Sequence, residues 1–205
     1  MDFVPYPRGI EAAFTGNQYV LKRKLLKLLG ASFLIFDASG QQVLQANQKA
    51  FKLKEDIRLL GGPNMDQELV GIFARKVIDF SAVYDVVDLT TNEKIGALGR
   101  KGWKSLARDE WTVLDPHDRV IGTMIEDSLG MAVLRRVLAH FIGNFIPQNY
   151  DLLINAQRVV DLKQNFNPFS YHLNITFETP PEQFDRRLGL AAAVLLAAIE
   201  GKQRG

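Results

Sequence analysis

From Leu188 to Ile199 every residue of this chain is apolar or glycine, running Leu-Gly-Leu-Ala-Ala-Ala-Val-Leu-Leu-Ala-Ala-Ile. The run is shorter than the roughly 20 apolar residues that a bilayer-crossing helix needs. It has no polar face, and a helix that is apolar all round must be buried on every side. Nearly everything before it reads as β-hairpins. A sheet wrapped around one central helix satisfies both facts. Gly189, Ala191, Ala192, Ala193, Ala197 and Ala198 would let strands approach the helix axis, while Leu188, Leu190, Val194, Leu195, Leu196 and Ile199 would fill the lumen.

The strands announce themselves as short apolar stretches cut by turn residues. Tyr19–Leu25, Ser32–Phe36 and Gln41–Asn47 are followed by Asp56–Leu60 and Glu68–Arg75, then Val83–Asp88 and Lys94–Gly99. Glu110–Leu114 and Val120–Glu126, Asp151–Ile154 and Arg158–Leu162, and finally Phe169–Phe177 complete about twelve. The hairpins look alike, each with a polar turn and a returning strand that starts on Val or Ile, which suggests a meander of one repeated unit. Twelve strands enclose more space than their own side chains fill, so the apolar helix serves as the plug. The expected fold is mainly β: a twelve-stranded closed β-barrel meander around a hydrophobic C-terminal helix. Residues 1–17 are expected to be an N-terminal arm and 18–205 a single barrel domain.

One further helix is expected over 128–145, where apolar residues fall at helical spacing, Ser128 can cap and Pro147 stops the run. For the last helix, Thr179-Pro180-Pro181-Glu182 matches a capping box with proline at the first helical position. Gly201 and Lys202 suit its other end.

Composition restricts the chemistry. The net charge of +2 does not call for nucleic acid, and with no cysteine there can be no disulfide, thiol catalysis, iron–sulfur cluster or palmitoylation. The first residues lack a basic start followed by an apolar core, so no signal peptide is read there. A cytoplasmic location, with peripheral membrane association open, is the expectation.

Motifs for catalysis are thin. His117, His140 and His172 are far apart, with no metal-ligand spacing. Gly102-Trp103-Lys104-Ser105 departs from a phosphate loop because Trp103 separates the glycine from the lysine. Asp37, Asp88 and Asp115 sit at hairpin turns, where aspartate bonds local backbone amides. No enzyme and no cofactor is expected. Four basic clusters stand out: Lys22, Arg23, Lys24 and Lys27; Lys49, Lys52 and Lys54; Arg100, Lys101 and Lys104; and Arg135 with Arg136. Each is readable as a contact for an anionic surface or as ordinary lysine and arginine solvating an outer wall. Trp103 and Trp111 are readable as interface anchors or, preferably, as packed aromatics on neighbouring strands.

Several stretches carry a family resemblance: Leu21-Lys22-Arg23-Lys24-Leu25 followed by Phe33-Leu34-Ile35-Phe36-Asp37, the run from Gln48 to Asp56, that from Leu98 to Trp111, and that from Asp185 to Glu200. With the meander and the apolar last helix, these resemble a bacterial member of the phospholipid scramblase family, itself similar to LURP-one-related proteins and to tubby C-terminal domains. The resemblance spans roughly residues 18–203. It implies a twelve-stranded barrel around a hydrophobic helix. It also implies phospholipid or membrane-surface binding through basic residues, here Lys22, Arg23, Lys24, Lys49, Lys52, Lys54, Arg100, Lys101 and Lys104. The family's calcium segment corresponds to Phe177–Asp185. There the acids Glu178, Glu182 and Asp185 are interrupted by two prolines and a phenylalanine, and they do not give the alternating oxygens of a calcium loop. The competing expectation is a soluble scaffold or protein-interaction domain.

Overall fold

The computed structural model describes residues 13–26, 30–48, 56–75, 82–100, 110–126, 149–165 and 171–200. Side-chain alternation builds its wall. Successive side chains of a strand point to opposite faces, and along the first strand Tyr19 and Leu21 are buried while Lys22 and Lys24 are exposed. The strands are β1 (Gln18–Leu26), β2 (Gly30–Asp37), β3 (Gln42–Gln48), β4 (Asp56–Gly61), β5 (Gln67–Arg75) and β6 (Ala82–Asp88). They continue as β7 (Glu93–Arg100), β8 (Glu110–Leu114), β9 (Val120–Glu126), β10 (Asn149–Ile154), β11 (Gln157–Gln164) and β12 (His172–Phe177). Each pairs antiparallel with its neighbour in sequence, and β12 closes onto β1 with Tyr19 opposite Ile175 and Leu21 opposite Leu173. The result is a closed barrel of twelve strands, so none of these described strands presents an edge open to pairing with another chain.

Because the strands alternate in direction, the barrel has two distinct mouths. The near mouth carries the short turns at 38–41, 62–66, 89–92, 115–119 and 155–156. Three of these turns are held the same way. Asp37 Oδ1 accepts the Ser39 and Gln41 amides, Asp88 Oδ1 the Thr90 and Thr91 amides, and Asp115 Oδ1 the His117 and Arg119 amides. This is the local bonding expected of aspartate at a turn. The β10–β11 turn places Asn155 at φ 51° and Ala156 at φ 62°, the pair of positive angles that a two-residue hairpin matched to strand twist requires. The far mouth is where β1 leads to β2, β3 to β4, and so on to β11 and β12.

The helix α1 (Arg186–Glu200) enters at the near mouth and spans about 22 Å at 1.5 Å per residue. No residue from Leu190 to Ala198 is more than 1% exposed. The expected capping box does not start it. Residues 181–184 form a turn, and Asp185 is the cap, its Oδ1 accepting the Arg187 amide at 2.9 Å. The aspartate sits one residue before the first helical turn, where a carboxylate can reach the free amides and favours the positive end of the dipole. The helix expected over 128–145 lies outside the described residues, as do Gly201 and Lys202.

Two arginines collar the helix entrance. Arg186 is 2% exposed. Its guanidinium donates to the Gly16, Thr179 and Phe184 carbonyls and to Asn17 Oδ1, and lies 4.3 Å from the Phe177 ring centroid. The chain just before β1 is thereby tied to the chain just before α1. Residues 13–17, read from the sequence as the end of an arm, are part of the barrel's packing, with Ala13 and Phe14 buried. Arg187 reaches across the mouth to Asp88 Oδ2 at 2.6 Å and also binds Asp185. The turn aspartate of the β6–β7 hairpin thus doubles as an anchor for the plug.

Gly189 shows how little room the lumen leaves. A Cβ there would lie 2.5 Å from Phe177 Cε1 and 3.2 Å from Phe184 Cε1. Alanine is the better helix former by about 1 kcal/mol, but overpacking a tight core costs about 1–3 kcal/mol. Gly189→Ala is therefore expected to lower the unfolding free energy in urea titrations followed by tryptophan fluorescence; an increase would show that the helix is not wedged against β12.

Candidate functional site

Of the nine basic positions singled out for lipid contact, four are described: Lys22, Arg23, Lys24 and Arg100. Lys49, Lys52, Lys54, Lys101 and Lys104 lie outside the described residues. Strand alternation separates the four into two sets. Lys22 and Lys24 are exposed on the outer face of β1. Arg23 lies between them on the inner face, opposite the buried Phe33. Burial pushes its guanidinium pKa down, partly offset by Tyr171. Arg100 ends β7 opposite the buried Trp111, with its guanidinium 5.9 Å from the indole ring. Both arginines therefore belong to the inside of the far mouth. Glu126, 8% exposed and opposite the buried Tyr150, joins the same inner face. Trp111 itself is 1% exposed, a packed core aromatic, while Trp103 is outside the described residues.

Elsewhere on the outer wall, positive charge is neutralised in place. Arg58 binds Asp56 and Glu68, and Arg158 binds Asp151 and Glu178. Lys163 binds Asp161. A four-membered cluster joins Arg75 and Lys94 to Asp85 and Asp118. Against this background Lys22 and Lys24 differ. Among the described residues neither has a carboxylate within ion-pair distance.

Lys22 borders a cleft of ≈ 490 Å³ on the outer wall, across β12, β1 and β2. Its ammonium sits 4.5 Å from the Phe36 ring centroid, a cation–π contact that leaves the other side of the charge open. Val20 and Phe36 are register partners across β1 and β2, and Val20 faces Asn174 across β12. Asn174 and Thr176 supply polar groups, and Asp37 closes the end nearest the turn. His172 pairs with Lys22 in register. Burial, then the Lys22 charge, lower its pKa, so the imidazole is neutral at physiological pH and does not add to the cation. Tyr19 lies behind the cleft with its pKa pushed up to about 12, chiefly by burial.

Individual polar residues of this site were readable as strand positions, for β12 alternates His172, Asn174 and Thr176 with Leu173, Ile175 and Phe177. The cleft was not, because it joins the two ends of the chain and exists only once the barrel closes. The remaining site-type expectations fall out simply. His117 is an exposed turn residue and His172 a strand residue, while His140 lies outside the described residues. Among the described residues no three metal-ligating side chains gather in one place and no helix is long and apolar enough to cross a membrane.

No family model and no curated protein matches the chain. Among solved structures, an X-ray structure of a protein from Arabidopsis thaliana is similar, with a TM-score of 0.50 at 12% identity, covering 93% of this chain and 95% of that one. At that identity the likeness is one of fold.

The neutralised patch gives a pH test. Hydrogen bonds from Arg75 and then Lys94 hold the Asp118 carboxyl down to about 2. Burial opposes the same effect at Asp85, yet its pKa is also lowered by these two cations. A depressed folded pKa means stability present above the unfolded value of about 4 and lost as pH falls towards 2. The urea midpoint is expected to drop across that window, and less steeply in Asp118→Asn; identical acid slopes would show that the cluster contributes nothing.

Proposed function

We propose that this barrel is a non-enzymatic, scramblase-like and tubby-like domain that binds phospholipid at a membrane surface through basic side chains. The observation that carries the reading is the state of Lys22 and Lys24: outward, adjacent on one face and, among the described residues, without the carboxylate partners that Arg58, Arg75, Lys94, Arg158 and Lys163 have. Each basic side chain near an anionic surface contributes about 1 kcal/mol, so two give about 2 kcal/mol, roughly a thirtyfold partition. That is too weak alone. Lys24 lies towards the far mouth, where β3 ends and β4 begins and where β7 ends and β8 begins, and in the sequence Lys49, Lys52, Lys54, Lys101 and Lys104 fall between those strands. The topology therefore favours one orientation, with the far mouth towards the anionic surface. Binding rather than acid–base chemistry is also favoured by the turn aspartates, whose oxygens hold backbone amides at Asp37, Asp88 and Asp115.

Co-sedimentation with anionic vesicles tests this. The native protein is expected to be enriched on them at low ionic strength and released by salt. Lys22→Gln with Lys24→Gln should weaken partitioning by roughly thirtyfold, with no change on neutral vesicles. An absence of enrichment at low ionic strength would overturn the proposal and leave a scaffold or interaction domain as the better reading.

A further inference from the structure

The construction of the cleft beside Lys22 follows from strand register. β12, β1 and β2 lie side by side. On their outward faces Val20 sits between Phe36 on β2 and Asn174 on β12. One row nearer the turn at 38–41, Gln18 faces Thr176. One row the other way is Lys22, whose ammonium leans back to 4.5 Å from the Phe36 ring centroid. It therefore stands on the opposite side of Val20 from Asn174. These six residues border the ≈ 490 Å³ cleft, and small-molecule sites run to about 300–1,000 Å³. Tyr19 and Asp37, register partners of the other parity, alternate to the other face. Asp37 Oδ1 is occupied by the Ser39 and Gln41 amides.

Lys22 is the one charged side chain among the six. The nearest outward charges on β11 cancel each other: Lys163, opposite Asn174, binds Asp161, opposite Thr176, at 2.6 Å. The cleft therefore offers a single positive charge, which one carboxylate matches. A phosphate dianion would bring a second negative charge that none of these side chains meets. Gln18, Asn174 and Thr176 are uncharged and both donate and accept hydrogen bonds. An acyl chain would strip them of water without a partner, which is costly. Hydroxyl groups satisfy them instead, while Val20 and Phe36 cover the C–H face of a ring.

We infer that this cleft binds a soluble, hydroxylated monocarboxylate of the sugar-acid class, its carboxylate at Lys22 and its hydroxyls on Asn174, Thr176 and Gln18. The inference goes beyond the membrane contact proposed above. That contact turns the far mouth to the surface, whereas the cleft borders the near-mouth turn at 38–41, so its ligand arrives from solution. A charge and a hydroxyl pattern read together give discrimination, because a ligand lacking either leaves a cleft group unmatched.

Amide chemical-shift titration of the full chain tests this, with glucuronate, glucose, acetate and glucose phosphate as probes. Glucuronate is expected to shift amides of β1, β12 and the β2–β3 turn saturably. Glucose lacks the charge and acetate lacks the hydroxyls, so each should bind at least about tenfold more weakly, the usual weight of one charge-assisted hydrogen bond. Lys22→Met keeps an apolar stem over Phe36 and should bring glucuronate down to the affinity of glucose. Lys24→Met, on the same outward face one row beyond, should leave glucuronate binding unchanged. Both positions are exposed, and amides away from the cleft report that each variant is folded. No saturable shift with glucuronate, equal affinity for acetate, or tighter binding of glucose phosphate would overturn the inference. So would a Lys22→Met titration like that of the native protein, or an equal loss in Lys24→Met. Failure to bind anionic vesicles would overturn the membrane contact and leave this inference standing.

Discussion

Everything in this structure depends on the burial of a helix that has no polar side. A free α1 would expose Leu188, Leu190, Val194, Leu195 and Leu196 to water, at about 1.5–3 kcal/mol for each large side chain. A bilayer is no alternative, because the apolar run is too short to span it. The barrel is the remaining solution, and the two parts need each other. Twelve strands without α1 would enclose a void, and voids in a core are costly because their lining loses its contacts. The helix must therefore be thin where strands come close, as at Gly189 against Phe177, and wide where they do not.

The entrance to the barrel explains how a uniform apolar rod is held in one register. Apolar contacts are non-directional and would tolerate sliding. Arg186 and Arg187 are directional. One binds three carbonyls and Asn17 inside the mouth, and the other spans to Asp88 on a strand end. Arg186 has no carboxylate among these partners, and burial lowers its pKa. Its carbonyl cage is what offsets the cost of placing that charge in the interior. The same Asp88 holds the β6–β7 turn, so turn geometry and helix position are coupled at one side chain.

Much of this was legible in the sequence, for identifiable reasons. The strands were found within a few residues because alternation and turn chemistry are local: Asp37, Asp88 and Asp115 bind amides two to four positions away. The helix start was misplaced because Thr179-Pro180-Pro181-Glu182 carries a capping pattern while Asp185, six residues beyond Thr179, makes the bond. Arg23 could have been assigned inwards, since Tyr19 and Leu21 share its parity. Arg100 could not, because Ile95-Gly96-Ala97-Leu98 is apolar on both faces and the register shifts between Val86 and Val87. The cleft was out of reach for a different reason: its walls, β1 with β2 and β12, come from opposite ends of the chain, and their meeting is a property of closure.

The central claim is that α1 is core and stays core. Hydrogen exchange of the amides from Leu190 to Ala198, measured with and without anionic vesicles, tests it most directly. Amides in this segment should be among the slowest in the protein, opening only with global unfolding, and vesicles should leave their rates unchanged. Fast exchange in solution, or protection that arises only when vesicles are added, would mean that the helix leaves the barrel for the membrane and would contradict the account.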